Sequence, residues 1–240
     1  MNIVLDAVNG LMYFFIYMFS MAFLLFIING VFEVPKELFR KLFHFVSFSS
    51  VIVMIYAAKE WIAAALIPLG VIAISYPGLI MSSKNEKFTS VLSERRPGEL
   101  KSSLVQLYIT IAVIIAVCWG LFGHKELAIA SILMWGFGDA AAALIGKKYG
   151  KHKVLRFKHV DNKKSWEGTA AMWFVAFTFG LLSLYIVGSL PIINCVLAIV
   201  VAAPIAAITE LVTQNGHDTI TVPLASAVVI YGSYMAMGIA

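Results

Sequence analysis

Charge is the scarcest resource in this chain. Of 240 residues only 13% are Asp, Glu, Lys or Arg, while 61% are apolar and the mean hydropathy is +0.90. A soluble domain carries about twice that share of charge, so too little is present here to cover a soluble surface. The formal net charge of +5 is then no argument for nucleic acid, because in a membrane protein the placement of charge is what informs. Cysteine is nearly absent as well. Cys118 and Cys195 stand far apart in apolar segments with no CxxC pairing, which excludes a disulfide framework or a thiolate metal site and leaves buried small hydrophobes. The five histidines are scattered, with no HExxH and no metal-ligand spacing. GKKYGK (Gly146 to Lys151) is not a Walker A loop, since its glycine spacing is wrong and His152 stands where Ser or Thr is needed. GFGDAA from Gly136 lies within an apolar span with no strand before it, so it is no dinucleotide fingerprint. Internal repeats, low-complexity tracts and linkers long enough for a soluble domain are missing too.

What is present is a series of long apolar runs. A membrane-crossing helix needs about 20 mainly apolar residues, and such runs occur near 8–30, 43–58, 61–82, 102–122, 126–146, 169–188, 191–211 and 219–239. The second is short, and its first turn can begin near Lys36. The first has Asp6 where a signal peptide has basic residues, and its apolar run from Ala7 to Phe32 exceeds a typical signal core, so it is expected to be a span. The expectation is an all-α polytopic integral membrane protein of about eight transmembrane helices, one membrane domain over 1–240. Cations alternate between the connecting segments. Lys36, Arg40 and Lys41 fall in 31–44, five fall in 83–101 (Lys84, Lys87, Arg95, Arg96, Lys101), and eight in 147–168 (Lys147, Lys148, Lys151, Lys153, Arg156, Lys158, Lys163, Lys164). The intervening loops hold only Lys59 and Lys125. The rich side is expected to be cytoplasmic, which adds the loop near 212–218 to that side and puts both termini on the other. Topology and attraction to anionic lipid, worth about 1 kcal/mol per basic residue, explain the first two loops. Loop 147–168 carries more charge than topology requires.

The stretch Trp135 to Thr169, WGFGDAAAALIGKKYGKHKVLRFKHVDNKKSWEGT, joins that loop to an acid. Asp139 lies in an apolar helix among small residues (Gly136, Gly138, Ala140 to Ala143), ~10 Å below the expected helix end at Gly146. A carboxylate near mid-bilayer costs ~2.5–3.5 kcal/mol and normally faces a cavity, a partner or an ion. Glu210 and the His217–Asp218 pair share its side in TELVTQNGHDTITVP, and Arg40, Lys41 and His44 stand at the entry to the second span. Asp139, Glu210 and Asp218 are therefore candidate ligands for Mg²⁺, which favours one or two carboxylates with phosphate oxygens and water. Lys163, Lys164 and the Ser165 hydroxyl are candidates for a polyphosphate beside it, with Glu167 to orient a lysine or a ribose hydroxyl.

RKLFH (Arg40 to His44), ERRPGEL (Glu94 to Leu100), GDAAAALIGKKYGKHK (Gly138 to Lys153), KKSWEGT (Lys163 to Thr169) and ELVTQNGHDTITVPL (Glu210 to Leu224), in this order, resemble the CTP-dependent polyprenol kinase family. That family includes dolichol, phytol and CTP-dependent diacylglycerol kinases and is related to phosphatidate cytidylyltransferase. The resemblance implies a kinase that uses CTP and Mg²⁺ to phosphorylate a membrane isoprenoid alcohol, or another lipid alcohol such as diacylglycerol, at the cytoplasmic face. It implies CTP binding by Lys163, Lys164, Ser165 and Glu167, and an essential Asp139; Lys147, Lys151 and Gly168 are further candidates for the nucleotide, and Arg40, Lys41 and Arg96 for substrate or phosphate. Asp139 and His44 are the candidates for the base that deprotonates the alcohol. Glu210, Asp218 and Pro223 match the late segment, although Thr219 stands where Asn is common. The acidic, glycine-rich signature of the cytidylyltransferases is not found, which favours phosphoryl over cytidylyl transfer. A transporter with an anion site would show acids or breaks at matching places in two halves, and no counterpart of Asp139 occurs in the first four spans. A purely structural membrane protein would use its basic loops for anionic lipid alone.

Overall fold

An apolar run surrounded by hydrocarbon has no water to bond its backbone, and the helix is the element that satisfies every N–H and C=O within one segment. A computed structural model describes residues 2–82, 98–154, 164–213 and 216–239. Among these residues eight helices are long and apolar enough to cross a membrane. No strand forms beyond one isolated antiparallel bridge, Lys153 with Ser165. The chain is an all-α polytopic membrane protein. Within the expected membrane domain it gathers into two compact units, Met1–Ala116 and Val117–Ala240.

The first unit contains α1 (Ile3–Phe32), α2 (Lys36–Ala57), α3 (Trp61–Ser82) and α4 (Glu99–Ile115). Asn2 caps α1 by accepting from Val4 N–H, and the left-handed Glu33 closes it. α2 begins at Lys36 because Glu37 and Arg40 pair at 2.8 Å one turn apart, which lets a charged turn precede the apolar run. Polar side chains inside this unit are satisfied. The buried Asp6 carboxylate accepts from Lys59 N–H at 2.9 Å. Tyr17 Oη lies 2.7 Å from Ser49 Oγ, and Tyr108 bonds Ser47 and Ser50.

The second unit follows a π-helical stretch, Ala116–Leu121, and contains α5 (Lys125–Tyr149), α6 (Trp166–Gly188), α7 (Ile192–Val212) and α8 (Asp218–Ala236). Every residue of α5 from Leu127 to Gly136 is buried, the mark of a helix enclosed on all sides. It packs against α6, α7 and α8. Glycines permit the close approach of α5 to α6: a Cβ on Gly138 would lie 2.7 Å from Met172 Sδ, and one on Gly180 2.8 Å from Met134 Sδ. Cys118 and Cys195 are free and buried, as expected.

Two boundaries differ from the expected ones in a way that matters. α5 runs a turn past Gly146 to Tyr149, so Asp139 lies ~15 Å from the helix end. α6 begins at Trp166, three residues before its apolar run, because Ser165 caps it. The loop between them is accordingly shorter than the charge pattern suggests.

Replacing Gly180 by Val forces atoms against Met134 and Ile199, overpacking of a kind that costs ~1–3 kcal/mol. The expected result is a lower Tm in detergent with unchanged helix content by circular dichroism, while an unaltered Tm contradicts this packing.

Candidate functional site

The described ends of the α5–α6 loop zip together. Val154 N–H donates to Lys164 C=O at 3.2 Å and Trp166 N–H to His152 C=O at 3.1 Å, flanking the Lys153–Ser165 bridge. The two motifs that stood apart in sequence thus form a two-rung antiparallel ribbon at the junction of two helices. Gly146 and Gly150 are one helical turn apart and share a face. Beneath the ribbon, Ser165 is 3% exposed and its Oγ accepts from Gly168 N–H at 3.2 Å, an N-cap bond that satisfies one of the orphan donors of α6. Three glycines wrap that hydroxyl. A Cβ on Gly150 would fall 2.2 Å from Gly146 C=O and 2.7 Å from Ser165 Oγ, and Cβ atoms on Gly146 and Gly168 would lie 3.2 and 3.3 Å from the same Oγ. Much of the GKKYG and SWEG pattern is explained by this contact alone.

Glu167, one residue into α6, reaches back over the ribbon. Its Oε1 accepts from the backbone N–H groups of Lys151 (3.2 Å) and His152 (3.1 Å) and lies 2.7 Å from His152 Nδ1. The carboxylate is exposed to solvent on one side and fixes the Lys151–His152 turn on the other. This is a holding role, where the residue pattern suggested a lysine or a ribose hydroxyl as its partner. His152 was noted in the sequence only as the residue that spoils a Walker loop, and nothing local in the sequence marks it as Glu167's partner.

Lys164 crosses to the end of α7. Its Nζ lies 2.9 Å from Glu210 Oε1 and also donates to Glu210 C=O and, at 3.0 Å, to Thr213 C=O. It therefore closes the C-terminal turn of α7, where carbonyls lack helical partners and a cation is favoured. Glu210 is 8% exposed. Asp139 of α5 and Asp218 of α8 both act on it electrostatically. Asp139 and Asp218 thus lie within electrostatic range of Glu210, each on a different helix of the second unit, with Lys164 inserted against Glu210. Thr213 Oγ1 and Thr221 Oγ1, 3.2 Å apart, tie the end of α7 to the start of α8. Among the described residues no three His, Cys, Asp or Glu side chains are grouped tightly enough to hold a metal ion unaided.

The remaining candidates sit as follows. Lys147 lies in the last turn of α5, where the helix dipole already favours a cation. Lys151 is exposed at the ribbon's edge. Arg40, Lys41 and His44 are on α2 of the first unit, with Arg40 paired to Glu37, Lys41 buried, and His44 stacked on Phe48 at 6.1 Å. Arg96 and Lys163 lie outside the described residues.

No family model and no solved structure matches the chain. Relatives by sequence do. A phytol kinase of Synechocystis sp. is 35% identical over 117 residues, which is 48% of this chain and 48% of that protein. Probable chloroplastic phytol kinases of Zea mays and of Oryza sativa are 26% and 27% identical over 210 and 212 residues, in each case 82% of this chain, and 67% and 65% of theirs. The chain thus spans about half of the first relative's length and about two thirds of the others'. It is phytol-kinase-like in sequence, as its motifs implied.

Glu167→Ala removes the acceptor that holds the Lys151–His152 turn, while Glu167→Gln keeps one carbonyl oxygen for the backbone donors. Limited trypsin digestion in detergent is expected to cut after Lys151 fastest in the Ala variant, slower in the Gln variant and slowest in wild type. Equal rates in all three contradict the clasp.

Proposed function

We propose, from the likeness to phytol kinases and from the Lys164–Glu210 pair with Asp139 and Asp218 in electrostatic range of it, that this chain is an integral-membrane kinase acting on an isoprenoid alcohol, with CTP as phosphoryl donor. The pairing of Lys164 with Glu210, on which Asp139 and Asp218 also act, is the observation that carries the reading. The alcohol's hydrocarbon chain belongs in the bilayer and its hydroxyl at headgroup level. A polar helix-end site beside apolar spans meets both substrates. CTP as the nucleotide follows the resemblance of Lys163 to Thr169 to the polyprenol kinases.

Phosphoryl transfer demands positioning and charge neutralisation more than covalent chemistry from the protein. The alcohol oxygen forms a bond to the γ-phosphorus as the bond from that phosphorus to the β,γ-bridging oxygen breaks. CDP leaves, and the hydroxyl proton passes to a base, for which Asp139 is the candidate within the second unit. The acids fit Mg²⁺ in the manner that ion prefers, one or two carboxylates completed by phosphate oxygens and water. Asp139 and Asp218 are the carboxylates assigned to it, with Glu210 joining them. When bound, Mg²⁺ neutralises charge on the β- and γ-phosphates. Lys147, Lys151 and Lys163 are assigned to phosphate oxygens, and Ser165, Glu167 and Gly168 shape the ribbon that presents them.

The purified chain with γ-labelled CTP, Mg²⁺ and a panel of phytol, geranylgeraniol, dolichol and diacylglycerol is expected to yield labelled lipid phosphate and CDP from a prenol. Asp139→Asn is expected to reduce the rate at least about a hundredfold, the scale of losing one charge-stabilising group. No labelled product from any alcohol, or an Asp139→Asn variant equal to wild type, contradicts the proposal. Release of pyrophosphate in place of CDP assigns cytidylyl transfer.

A further inference from the structure

An exposed ion pair is worth little by itself, yet the one between His152 and Glu167 is held from more than one side. Glu167 Oε1 accepts from the backbone N–H of Lys151 at 3.2 Å and of His152 at 3.1 Å, and the His152 N–H also lies 3.4 Å from Oε2. The same Oε1 stands 2.7 Å from His152 Nδ1. A carboxyl group that meets this many donors is an ionised acceptor, so the ring nitrogen facing it carries a proton. The neutral imidazole then keeps its lone pair on Nε2. The Glu167 side chain is 26% exposed and that of His152 78%, so the orienting acid is the more sheltered partner and the ring stands open. A base held in orientation by a third group is the pattern of proton-transfer sites.

Where that nitrogen stands matters as much. Tyr149 ends α5 and Trp166 begins α6, both half exposed, and Lys148 Nζ lies 5.1 Å from the centre of the Tyr149 ring. Exposed Tyr and Trp at the ends of spanning helices mark the level of the lipid headgroups. His152 follows shortly after Tyr149, and its C=O accepts from Trp166 N–H at 3.1 Å. The imidazole is thus at the depth where the hydroxyl of a membrane alcohol resides. The charged groups around it are Glu167 from α6, Lys151 and Lys153 on its own strand, and Lys164 on the facing strand, whose ammonium is turned to Glu210.

We propose that His152 is the group that takes the proton of the lipid alcohol, with Glu167 as the positioning residue that fixes its tautomer and its ring. This rests on the reading of the chain as a kinase of a membrane alcohol. The alcohol oxygen bonds to the γ-phosphorus as the bond to the β,γ-bridging oxygen breaks, the hydroxyl proton passes to Nε2, and CDP departs. The imidazolium so formed is stabilised by the Glu167 carboxylate and returns its proton to water before the next turnover. Asp139 is then left to balance charge on the phosphates, and the base belongs to the ribbon and not to the span.

The test is transfer from γ-labelled CTP to phytol by the full chain in detergent, followed across pH at saturating substrates. Wild type is expected to lose rate towards acid pH, where the imidazole already holds a proton. His152→Asn places an amide N–H where Nδ1–H stood and nothing at Nε2, so it keeps the clasp and removes the base. It is expected to lower kcat about a hundredfold, to leave KM for CTP within about twofold of wild type, and to abolish the acid limb. Glu167→Gln is expected to lower kcat with KM for CTP unchanged and the acid limb retained, because the imidazole is still present. A His152→Asn variant with the wild-type kcat, or one that keeps the wild-type acid limb, overturns the proposal. Should His152→Asn fail to fold, carbethoxylation of wild type by diethyl pyrocarbonate decides. Phytol in the micelle is expected to slow labelling of His152 several-fold, and an unchanged rate overturns the proposal. No transfer by wild type to any alcohol sinks the kinase reading and this one with it, whereas transfer by wild type with His152→Asn unaltered sinks this one alone.

Discussion

Backbone that leaves a helix where water is scarce must find its hydrogen bonds elsewhere in the protein, and such bonds organise the loop end of the second unit. Between α5 and α6 the described backbone finds them in the two rungs that join 152–154 to 164–166. Glu167 adds acceptors for two more N–H groups. At α7 the freed carbonyls of Glu210 and Thr213 are taken by the Lys164 ammonium. The second and third solutions use a charged side chain from the neighbouring loop or helix, and so the satisfaction of backbone groups also brings Lys164 to Glu210 and Glu167 to the Lys151–His152 turn. A region where polar groups converge for structural reasons can then be turned to phosphate chemistry at little further cost.

The glycines belong to the same constraint. Ser165 can cap α6 beneath the end of α5 only because Gly146, Gly150 and Gly168 leave room around its hydroxyl. The close approach of the two helices carries Lys164 to Glu210, 46 residues away in sequence. The most specific motifs of the chain are thus partly architectural. Their serine, glycines and glutamate build the junction, while the lysines alone remain to be divided between topology, helix ends and substrate.

The eight spans were legible because each is an apolar run of adequate length, and the helices coincide with them to within a few residues. Where they differ, local polar chemistry won over hydropathy: Glu37 and Arg40 carried α2 back to Lys36, and the Ser165 cap carried α6 back to Trp166. Asp139 drew notice from the expense of a carboxylate in an apolar helix, and Glu210 and Asp218 from sharing its side; in the structure Asp139 and Asp218 both act electrostatically on Glu210. Their relation to Lys164 was not legible. The lysine read as a phosphate ligand from its neighbours in sequence, yet its partner is set by the packing of α7 against α6. Glu167 was named from its motif, but its partners Lys151 and His152 were not legible, since they lie across a loop. The division into two compact units left no composition break to find, because both are built from the same kind of helix.

The likeness to phytol kinases and the convergence of acids and cations meet in one claim: that the α5–α6 ribbon and the acids beside it form the nucleotide site. An experimental structure of the chain with Mg²⁺ and a non-hydrolysable CTP analogue measures this directly. The account predicts the triphosphate against the ribbon at Lys151 and the start of α6, with the metal between it and the carboxylates of Asp139 and Asp218. A triphosphate bound away from the ribbon, with Asp139 and Asp218 remote from both metal and phosphate, contradicts it.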